Sequence, residues 1–245
     1  ALNQQEIKAL YNSSKNRLYN NFTSLNKGTY NYSVYSIDKS GSFNHSQTKN
    51  LEISECLPNS TTNHGNDCVY RGSVNFTASI DNTTQKYYLD APNDYNSSKT
   101  YDLILFFHGH GSHYDEFAQD ASFSNFRDYY RNHSYLVVYP EYRWRSWMNS
   151  TARSDVEDII NNINNSFNLQ GIHTMGFSMG GGAALTYAKH HNKTINSALS
   201  VSGVTNFTKF YNIGTYQSSL ETAFGGTPSA SDEYENASVL GYEES

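Results

Sequence analysis

The sequence predicts an α/β fold in which a mostly parallel sheet has helices on both faces, preceded by an N-terminal helix and antiparallel strands. Two observations predict this class. Four short, continuous apolar runs have the length and composition of strands buried on both faces. Helical patterns separate the last three runs, and such alternation is typical of parallel sheets with right-handed crossovers. The chain of 245 residues suits one domain with an extension.

The N-terminal third has a pattern of its own. In residues 2–25, apolar side chains recur at helical spacing, and these are Ile7, Tyr11, Leu18 and Phe22. Between residues 29 and 90, apolar and polar residues alternate in several stretches, which predicts antiparallel strands with one polar face. We therefore expect a helix and a disulfide-containing β extension in residues 1–84 and the α/β core in residues 85–245.

The core consists of buried strands joined by helices. The predicted strands are residues 103–107, 135–139, 172–177 and 198–201. Ser154 and Glu157 have the spacing of a capping box, which predicts that a helix begins there. Its apolar stripe is formed by Val156, Ile159, Ile160, Ile163 and Phe167. A second helix is predicted from Met179 to about His191.

Charge and hydropathy exclude several partners. The 17 basic and 23 acidic residues give a net charge of -6, and no basic run offers a track for phosphates, so nucleic acid is not an expected partner. No apolar run approaches the roughly 18 residues that a membrane span requires. The abundant aromatic residues, including 21 tyrosines, are typical of a globular chain. The first residue, Ala1, is interpreted as the processed end of a mature protein.

Asparagine-linked glycosylation motifs are unusually frequent. With 29 Asn and 50 Ser and Thr residues, chance would give roughly six Asn-x-Ser/Thr motifs. The sequence has fourteen, one of them at Asn164, where the neighbouring apolar stripe would crowd a sugar. The excess predicts a secreted or cell-surface glycoprotein. The other thirteen motifs are at Asn12, Asn21, Asn31, Asn44, Asn59, Asn75, Asn82, Asn96, Asn132, Asn149, Asn192, Asn206 and Asn236.

The only two cysteines, Cys56 and Cys68, enclose eleven residues rich in Asn, Thr, Pro and Gly. An even number of cysteines in a chain expected to be extracellular favours a disulfide. Two alternatives remain: a catalytic thiol, and a metal site that includes His64.

The main catalytic motif is Gly176-Phe177-Ser178-Met179-Gly180, a G-x-S-x-G sequence between a predicted strand and a predicted helix. This context is that of a nucleophile elbow, a tight turn that exposes the serine and leaves no room for a Cβ at either glycine. The amide of Met179 would then stand at a helix N-terminus, where it can bind an oxyanion. The alternative is a glycine-rich turn with an inert serine.

A second motif, His108-Gly109-His110-Gly111, directly follows the first predicted core strand. Together the two motifs resemble those of α/β-hydrolases, with an H-G-x-G oxyanion loop and a G-F-S-M-G-G elbow. Tyr139-Pro140-Glu141, the aromatic segment 142–147 and Ser202-Gly203 are similar to secreted esterases of the polyhydroxybutyrate depolymerase and feruloyl or acetylxylan esterase type. The resemblance covers residues 86 to about 240.

The resemblance implies roles for the loop and a class of substrate. The amide of His110 or Gly111 would be the second oxyanion donor, and His108 would brace the loop. The substrate would be a carbohydrate-linked ester or a polyester, and no cofactor is implied. Two alternatives stay open. The first is a metal cluster formed by His108, His110 and His113, although no acidic or cysteine partner has a suitable spacing. Trp144 and Trp147 could line a substrate pocket or simply pack.

The resemblance also implies a catalytic acid and a histidine after Ser178. The only later histidines, His190 and His191, fall at the far end of the next predicted helix, roughly 18 Å from the serine at 1.5 Å per residue. We therefore expect that the C-terminal strands of the fold are missing from this chain, and that a further segment or a second chain completes the sheet.

Two functions follow from the sequence. The first is a secreted, glycosylated serine esterase whose nucleophile is Ser178. The alternative is an inactive, hydrolase-like extracellular glycoprotein with a structural, adhesive or assembly role.

Overall fold

The computed structural model describes residues 28–37, 41–53, 71–93, 95 and 98–240. It divides the chain into two compact units, Ala1–Glu55 and Cys56–Ser245. The sequence-based boundary after residue 84 stays a prediction. The N-terminal helix predicted for residues 2–25 and the disulfide predicted between Cys56 and Cys68 lie outside the described residues.

The described part of the first unit consists of two antiparallel pairs of strands. Strand β1 (Gly28–Tyr32) pairs with β4 (Lys49–Ile53), and β2 (Tyr35–Ile37) pairs with β3 (Phe43–His45). The alternation that predicted antiparallel strands in this part of the chain is thereby confirmed.

The second unit contains a sheet of six strands among the described residues, in the order β10-β9-β7-β8-β6-β5. The pairs β7/β8, β7/β9 and β9/β10 are parallel, whereas β5/β6 and β6/β8 are antiparallel. The mostly parallel sheet of the predicted α/β class is thus confirmed. The strands are β5 (Arg71–Thr77), β6 (Thr84–Asp90), β7 (Thr100–Phe107), β8 (Tyr135–Pro140), β9 (Asn168–Phe177) and β10 (Ser197–Val201).

Helices connect these strands and follow the last of them. They are α1 (Glu116–Gln119), α2 (Ser124–Asn132), α3 (Ser150–Asn164), α4 (Met179–His190), α5 (Phe207–Ile213), α6 (Gln217–Phe224) and α7 (Glu233–Ala237), with a 3-10 turn at Ala121–Phe123. In the described part of the chain, none of the helices has the length and apolarity needed to cross a bilayer.

Apolar side chains on both faces of the sheet pack against these helices. Successive residues of a strand point to opposite faces. On β7, Leu105 packs in the apolar cluster that includes Val156 of α3 and Ala184 of α4. Its neighbour Phe106 packs in a second cluster, with Ala118 of α1 and, at the margin, aromatic residues of α2. Helices therefore cover both faces, as the continuous apolar runs predicted.

One predicted helix boundary is wrong. Helix α3 begins at Ser150, four residues before the capping box that Ser154 and Glu157 suggested. The N-cap is Asn149, whose side-chain oxygen accepts a hydrogen bond from the amide of Ala152 at 3.0 Å. The side-chain nitrogen of Asn149 also donates to the carbonyl oxygen of Ala223 at 2.8 Å, a tertiary contact that the local sequence does not reveal.

Strand β10 lies at one edge of the described sheet and pairs only with β9 there. Its apolar side chains are not covered by the described residues, since Leu199 is 54% exposed and Val201 is 37% exposed. After β10, the described chain continues as helices α5 to α7 and adds no further strand.

Candidate active site

Ser178 occupies the turn between β9 and α4. It is exposed and has φ of 54° and ψ of -120°, a region of backbone space that is costly for any residue with a side chain. Two hydrogen bonds fix this backbone: the Ser178 amide donates to the carbonyl oxygen of Val201 at 2.9 Å, and the Ser178 carbonyl accepts from the amide of Gly182 at 3.1 Å. The turn therefore holds the hydroxyl above the carboxyl end of the sheet.

The two glycines of the G-x-S-x-G motif are required by close backbone contacts. A Cβ at Gly176 would lie 2.5 Å from the carbonyl carbon and oxygen of Gly180. A Cβ at Gly180 would lie 2.0 Å from the carbonyl oxygen of Phe107, at the end of β7. Because real Cβ atoms do not approach backbone this closely, the elbow needs glycine at both positions.

The loop after β7 lies next to this elbow. The side chain of His108 is buried, and its ring nitrogens lie 2.9 Å from the carbonyl oxygen of Gly109 and 3.0 Å from that of Glu141. The Tyr142 hydroxyl donates to the carbonyl oxygen of His108 at 2.6 Å. A Cβ at Gly109 would lie 3.8 Å from the carbonyl oxygen of Phe177, so the loop runs beside the residue before the serine.

Met179 and the loop supply the amides that could bind an oxyanion. Met179 is the first residue of α4, where backbone N–H groups have no intrahelical acceptor. Gly111 has φ of +85°, which favours glycine there. That the amides of Met179 and of His110 or Gly111 converge beside the Ser178 hydroxyl stays a prediction.

A cavity of about 800 Å³ opens beside the loop. The His110 ring packs against Trp147 and Tyr216, with centroids 5.4 and 4.8 Å away, and its Nε2 lies 3.0 Å from the Ser219 Oγ. Burial, and secondly the positive charge of Arg145, lower the pKa of His110. The residues lining the cavity include His110, Arg143, Trp144, Arg145, Tyr216 and Ser219.

The two tryptophans differ in their surroundings. Trp147 is buried, and its ring contacts Phe207, Phe210 and Tyr216. Its indole nitrogen donates to Ser219 Oγ at 2.9 Å. Trp144 is 40% exposed and lines the cavity. The packing interpretation therefore fits Trp147, and the pocket interpretation fits Trp144.

The histidines near the loop have separate partners. His108 contacts backbone carbonyls and His110 contacts Ser219, whereas the Nδ1 of His113 lies 2.9 Å from Glu141 Oε1. Among the residues described by the structure, no group of three or more His, Cys, Asp or Glu side chains is arranged to hold a metal ion.

The proton-transfer partner of Ser178 does not appear in the described part of the chain, where no hydrogen bond involves the Ser178 hydroxyl. His190 and His191 lie at the far end of α4, as the sequence predicted. His190 Nε2 lies 2.9 Å from the carbonyl oxygen of Asn236, and His191 stacks on Tyr187. Burial lowers the pKa of both histidines.

Sequence reasoning missed the structure of the loop between β8 and α3. Five of its non-glycine residues have positive φ, namely Tyr142, Arg143, Trp144, Trp147 and Met148. Arg143 holds this loop by ion pairs with two carboxylates, those of Asp81 and Asp155, each at 2.6 Å. The aromatic composition of the segment was a signal for the pocket, but no local pattern indicated the ion pairs of Arg143.

Most of the predicted glycosylation sites are on the surface where the structure describes their side chains. Asn149 and Asn206 are half-buried, and both cap helices through their side-chain oxygens. Asn164, which we expected to be crowded, is exposed. Asn12, Asn21, Asn59 and Asn96 lie outside the described residues, as does the side chain of Asn44. The other exposed sites are Asn31, Asn75, Asn82, Asn132, Asn192 and Asn236.

A family model described as alpha/beta hydrolase fold matches residues 102–222. This range includes most of β7, all of β8 to β10 and both motifs of the candidate site. Comparison with curated protein sequences finds no significant match.

Solved structures share the fold at low sequence identity. Fluorophosphonate-binding serine hydrolase F from Staphylococcus aureus superposes with a TM-score of 0.59 at 17% identity, over 69% of this chain and 70% of that one. S-formylglutathione hydrolase from the same organism gives 0.52 at 16%, over 63% and 65%. The acylaminoacyl peptidase of Pyrococcus horikoshii gives 0.53 at 14%, over 70% and 29%. At these identities the likeness concerns the fold and not the substrate.

Proposed function

We propose that this chain, which has the α/β-hydrolase fold, is a carboxylic-ester hydrolase that uses Ser178 as its nucleophile. The observation that carries the proposal is the elbow: Ser178 is exposed at φ of 54° in the turn from β9 into α4, between two glycines whose positions leave no room for a Cβ. Strain of this kind persists only where surrounding structure imposes it, and it is concentrated at active sites.

The proposed reaction proceeds by acyl transfer. The Ser178 oxygen attacks the ester carbonyl and loses its proton to a histidine, while the amides of Met179 and of His110 or Gly111 bind the resulting oxyanion. When the carbon–oxygen bond to the alcohol breaks, the histidine returns the proton to the leaving alcohol. Water then attacks the acyl-enzyme in the same way and releases the acid.

We further propose that the histidine and its acid belong to a segment that pairs with β10. One general rule and one observation support this. Unpaired backbone groups at an apolar sheet edge favour the addition of a strand. Leu199 and Val201 of β10 are exposed among the described residues, and a covering segment would remove them from water. Such a segment would bring its loops to the carboxyl edge of the sheet, where Ser178 stands.

The substrate, location and glycosylation belong to the same proposal. The resemblance of the chain's motifs to those of secreted esterases supports a carbohydrate-linked ester or a polyester as the substrate. The excess of glycosylation motifs supports a secreted glycoprotein, and most of those described are exposed. Treatment with an N-glycosidase followed by intact-mass measurement tests this point: a loss of mass supports glycosylation, and an unchanged mass contradicts it.

Ester hydrolysis by serine variants tests the function. Ser178→Ala is expected to abolish turnover of a simple aryl acetate. Ser202→Ala is a matched control, because Ser202 is also exposed, follows the neighbouring strand and has φ of 53°. Equal turnover by Ser178→Ala and the native chain would contradict the proposal.

The absence of a hydrogen bond to the Ser178 hydroxyl among the described residues favours a second candidate, an inactive glycoprotein that retains the hydrolase scaffold for adhesion or assembly. If the protein hydrolyses no ester even with the segment proposed to pair with β10 present, this second function becomes the better account.

A further inference from the structure

Arg145 lines the cavity and packs on the aromatic ring of the residue before it, Trp144. Its guanidinium lies over the ring of Trp144, with the Cζ atom 4.0 Å from the ring centroid. Trp144 also lies parallel to the ring of His113, with ring centroids 5.9 Å apart. Glu141 fixes this stack, because its carboxylate contacts His113 Nδ1 and accepts from the Tyr114 amide, both at 2.9 Å.

Arg145 is also unusual in its charge environment. The other described arginines have acceptors within the protein: Arg71 and Arg131 pair with Asp90, Arg153 with Glu233 and Arg143 with two aspartates, and Arg127 donates to backbone carbonyls. Arg145 has no ion pair or hydrogen bond with the residues that the structure describes. Its five donor groups are therefore free to bind an anion there.

The cavity beside Arg145 has no negative charge to compensate it. Among the described residues, its charged lining groups are Arg143 and Arg145, and no carboxylate lines it. The charge of Arg143 is already balanced by Asp81 and Asp155. Because the pKa of His110 is lowered, its ring is mostly neutral at neutral pH. The uncompensated positive charge is thus that of Arg145.

Arg145 lies close to the loop that the proposed function assigns to the oxyanion. A Cβ at Gly111 would be 3.9 Å from Arg145 Nη2, whereas a Cβ at Gly109 would be 3.8 Å from the carbonyl oxygen of Phe177. Gly109 and Gly111 are two residues apart, which corresponds to at most about 7 Å of chain. The elbow and Arg145 therefore flank one short loop.

We propose that Arg145, stacked on Trp144, binds a carboxylate carried by the ester that Ser178 attacks, so that the enzyme prefers anionic esters over neutral ones. This inference rests on the proposed function and specifies its substrate class. A guanidinium binds a carboxylate through two parallel N–H donors, and the aromatic ring beneath it limits its rotation. Uronic acid residues and the free acid end of a polyester both bear a carboxylate.

The first test compares esters that differ only in charge. 4-Acetoxybenzoate and 4-acetoxybenzamide place the difference on the alcohol side, and phenyl hydrogen adipate and phenyl adipamate place it on the acyl side. For one pair, the ratio of kcat/KM values, anionic over neutral, is expected to fall about fivefold to tenfold in Arg145→Gln. Arg145→Lys should retain part of the preference, because it keeps the charge without the planar fork.

Lys193→Gln serves as the control, since it removes one exposed positive charge beyond the end of α4 and should leave the ratio unchanged. Comparison between variants cancels the intrinsic reactivity of each ester. A ratio that is the same in the native chain and Arg145→Gln for both pairs overturns the proposal.

The second test measures binding without turnover, in the Ser178→Ala variant. Ligand-detected NMR would compare the acid and carboxamide forms of 4-acetamidobenzoate and of the monoanilide of adipic acid. Preferential binding of an acid that is lost in Ser178→Ala/Arg145→Gln supports the anion site even if the native chain hydrolyses no ester, in which case only the proposed function fails. Equal binding of both forms, with active hydrolysis, overturns the anion site and leaves the esterase function standing.

Discussion

Ser178 shows how a single residue can depend on contacts made by its neighbours. Its positive φ would be unfavourable in an isolated peptide, and the folded chain imposes it through hydrogen bonds to Val201 and Gly182. The glycines on either side allow β9 and α4 to approach the end of β7. The identity of the two glycines in the G-x-S-x-G motif thus follows from the geometry of one turn.

At this scale, we predict that Gly180→Ala is strongly destabilising. The added Cβ would meet the carbonyl oxygen of Phe107 at 2.0 Å, and backbone cannot yield as a flexible side chain can. We expect a loss of roughly 1–3 kcal/mol or more in the free energy of unfolding, measured by urea denaturation. Gly109→Ala is the matched control, because its Cβ would make an ordinary contact of 3.8 Å. Equal stability of the two variants would contradict the close approach of Gly180 to the carbonyl oxygen of Phe107.

A second prediction at the residue scale concerns the pKa of His110. Arg145 disfavours the imidazolium form, so Arg145→Gln should raise the pKa of His110 towards its ordinary value, while burial still holds it below that value. The pKa can be measured by NMR titration of the imidazole ring. Lys193→Gln should have no such effect. A pKa that is unchanged or lower in Arg145→Gln would contradict the placement of this charge beside the ring.

At the scale of elements, the strands were predictable and several connections were not. Strand β7 follows from its apolar run, since burial on both faces requires continuous apolar sequence. The start of α3 could not be chosen locally, because Asn149 and Ser154 are both good N-caps and a contact with Ala223 distinguishes them. The backbone of the β8–α3 loop also depends on distant residues, since Arg143 pairs with Asp81, which lies 62 positions earlier.

The ion pairs of Arg143 with Asp81 and Asp155 give a prediction for the β8–α3 loop. Asp155 is 1% exposed, and Arg143→Gln would leave its carboxylate buried without a charged partner. We expect a loss of roughly 3 kcal/mol in the free energy of unfolding, because breaking a buried pair leaves an uncompensated charge. The double variant Arg143→Gln/Asp155→Asn should recover part of this loss. If the double variant is as unstable as the single one, the buried charge is not the cause.

At the scale of the whole molecule, the sequence predicted a central parallel sheet and the position of its nucleophile motif. The pocket could not be predicted from the sequence. Its lining residues Arg145, Tyr216 and Ser219 come together only because α6 and the β8–α3 loop pack near the loop after β7. That β10 would be an edge strand of the described sheet was predictable, since the strand is apolar and the resemblance implies further strands beyond it. The covering of this edge remains a proposal.

Hydrogen exchange provides a prediction for the sheet as a whole. Strand β7 is buried and paired on both sides, whereas β10 is paired only with β9 among the described residues. In the present chain, amides of Ser197–Val201 should exchange faster than those of residues 103–107. If a segment pairs with β10 as proposed, its presence should slow exchange in β10. Equal protection of both strands in the present chain would indicate that this edge is already covered.

The central claim is that Ser178 is a catalytic nucleophile, and active-site labelling tests it most directly. A fluorophosphonate loses fluoride when an activated serine oxygen attacks its phosphorus, and the adduct can be located by peptide mass spectrometry. We predict one adduct, on the peptide that contains Ser178, in the native protein and in Ser202→Ala but not in Ser178→Ala. Absence of an adduct at Ser178 in a protein that hydrolyses esters, or equal labelling of Ser178→Ala, would contradict the account.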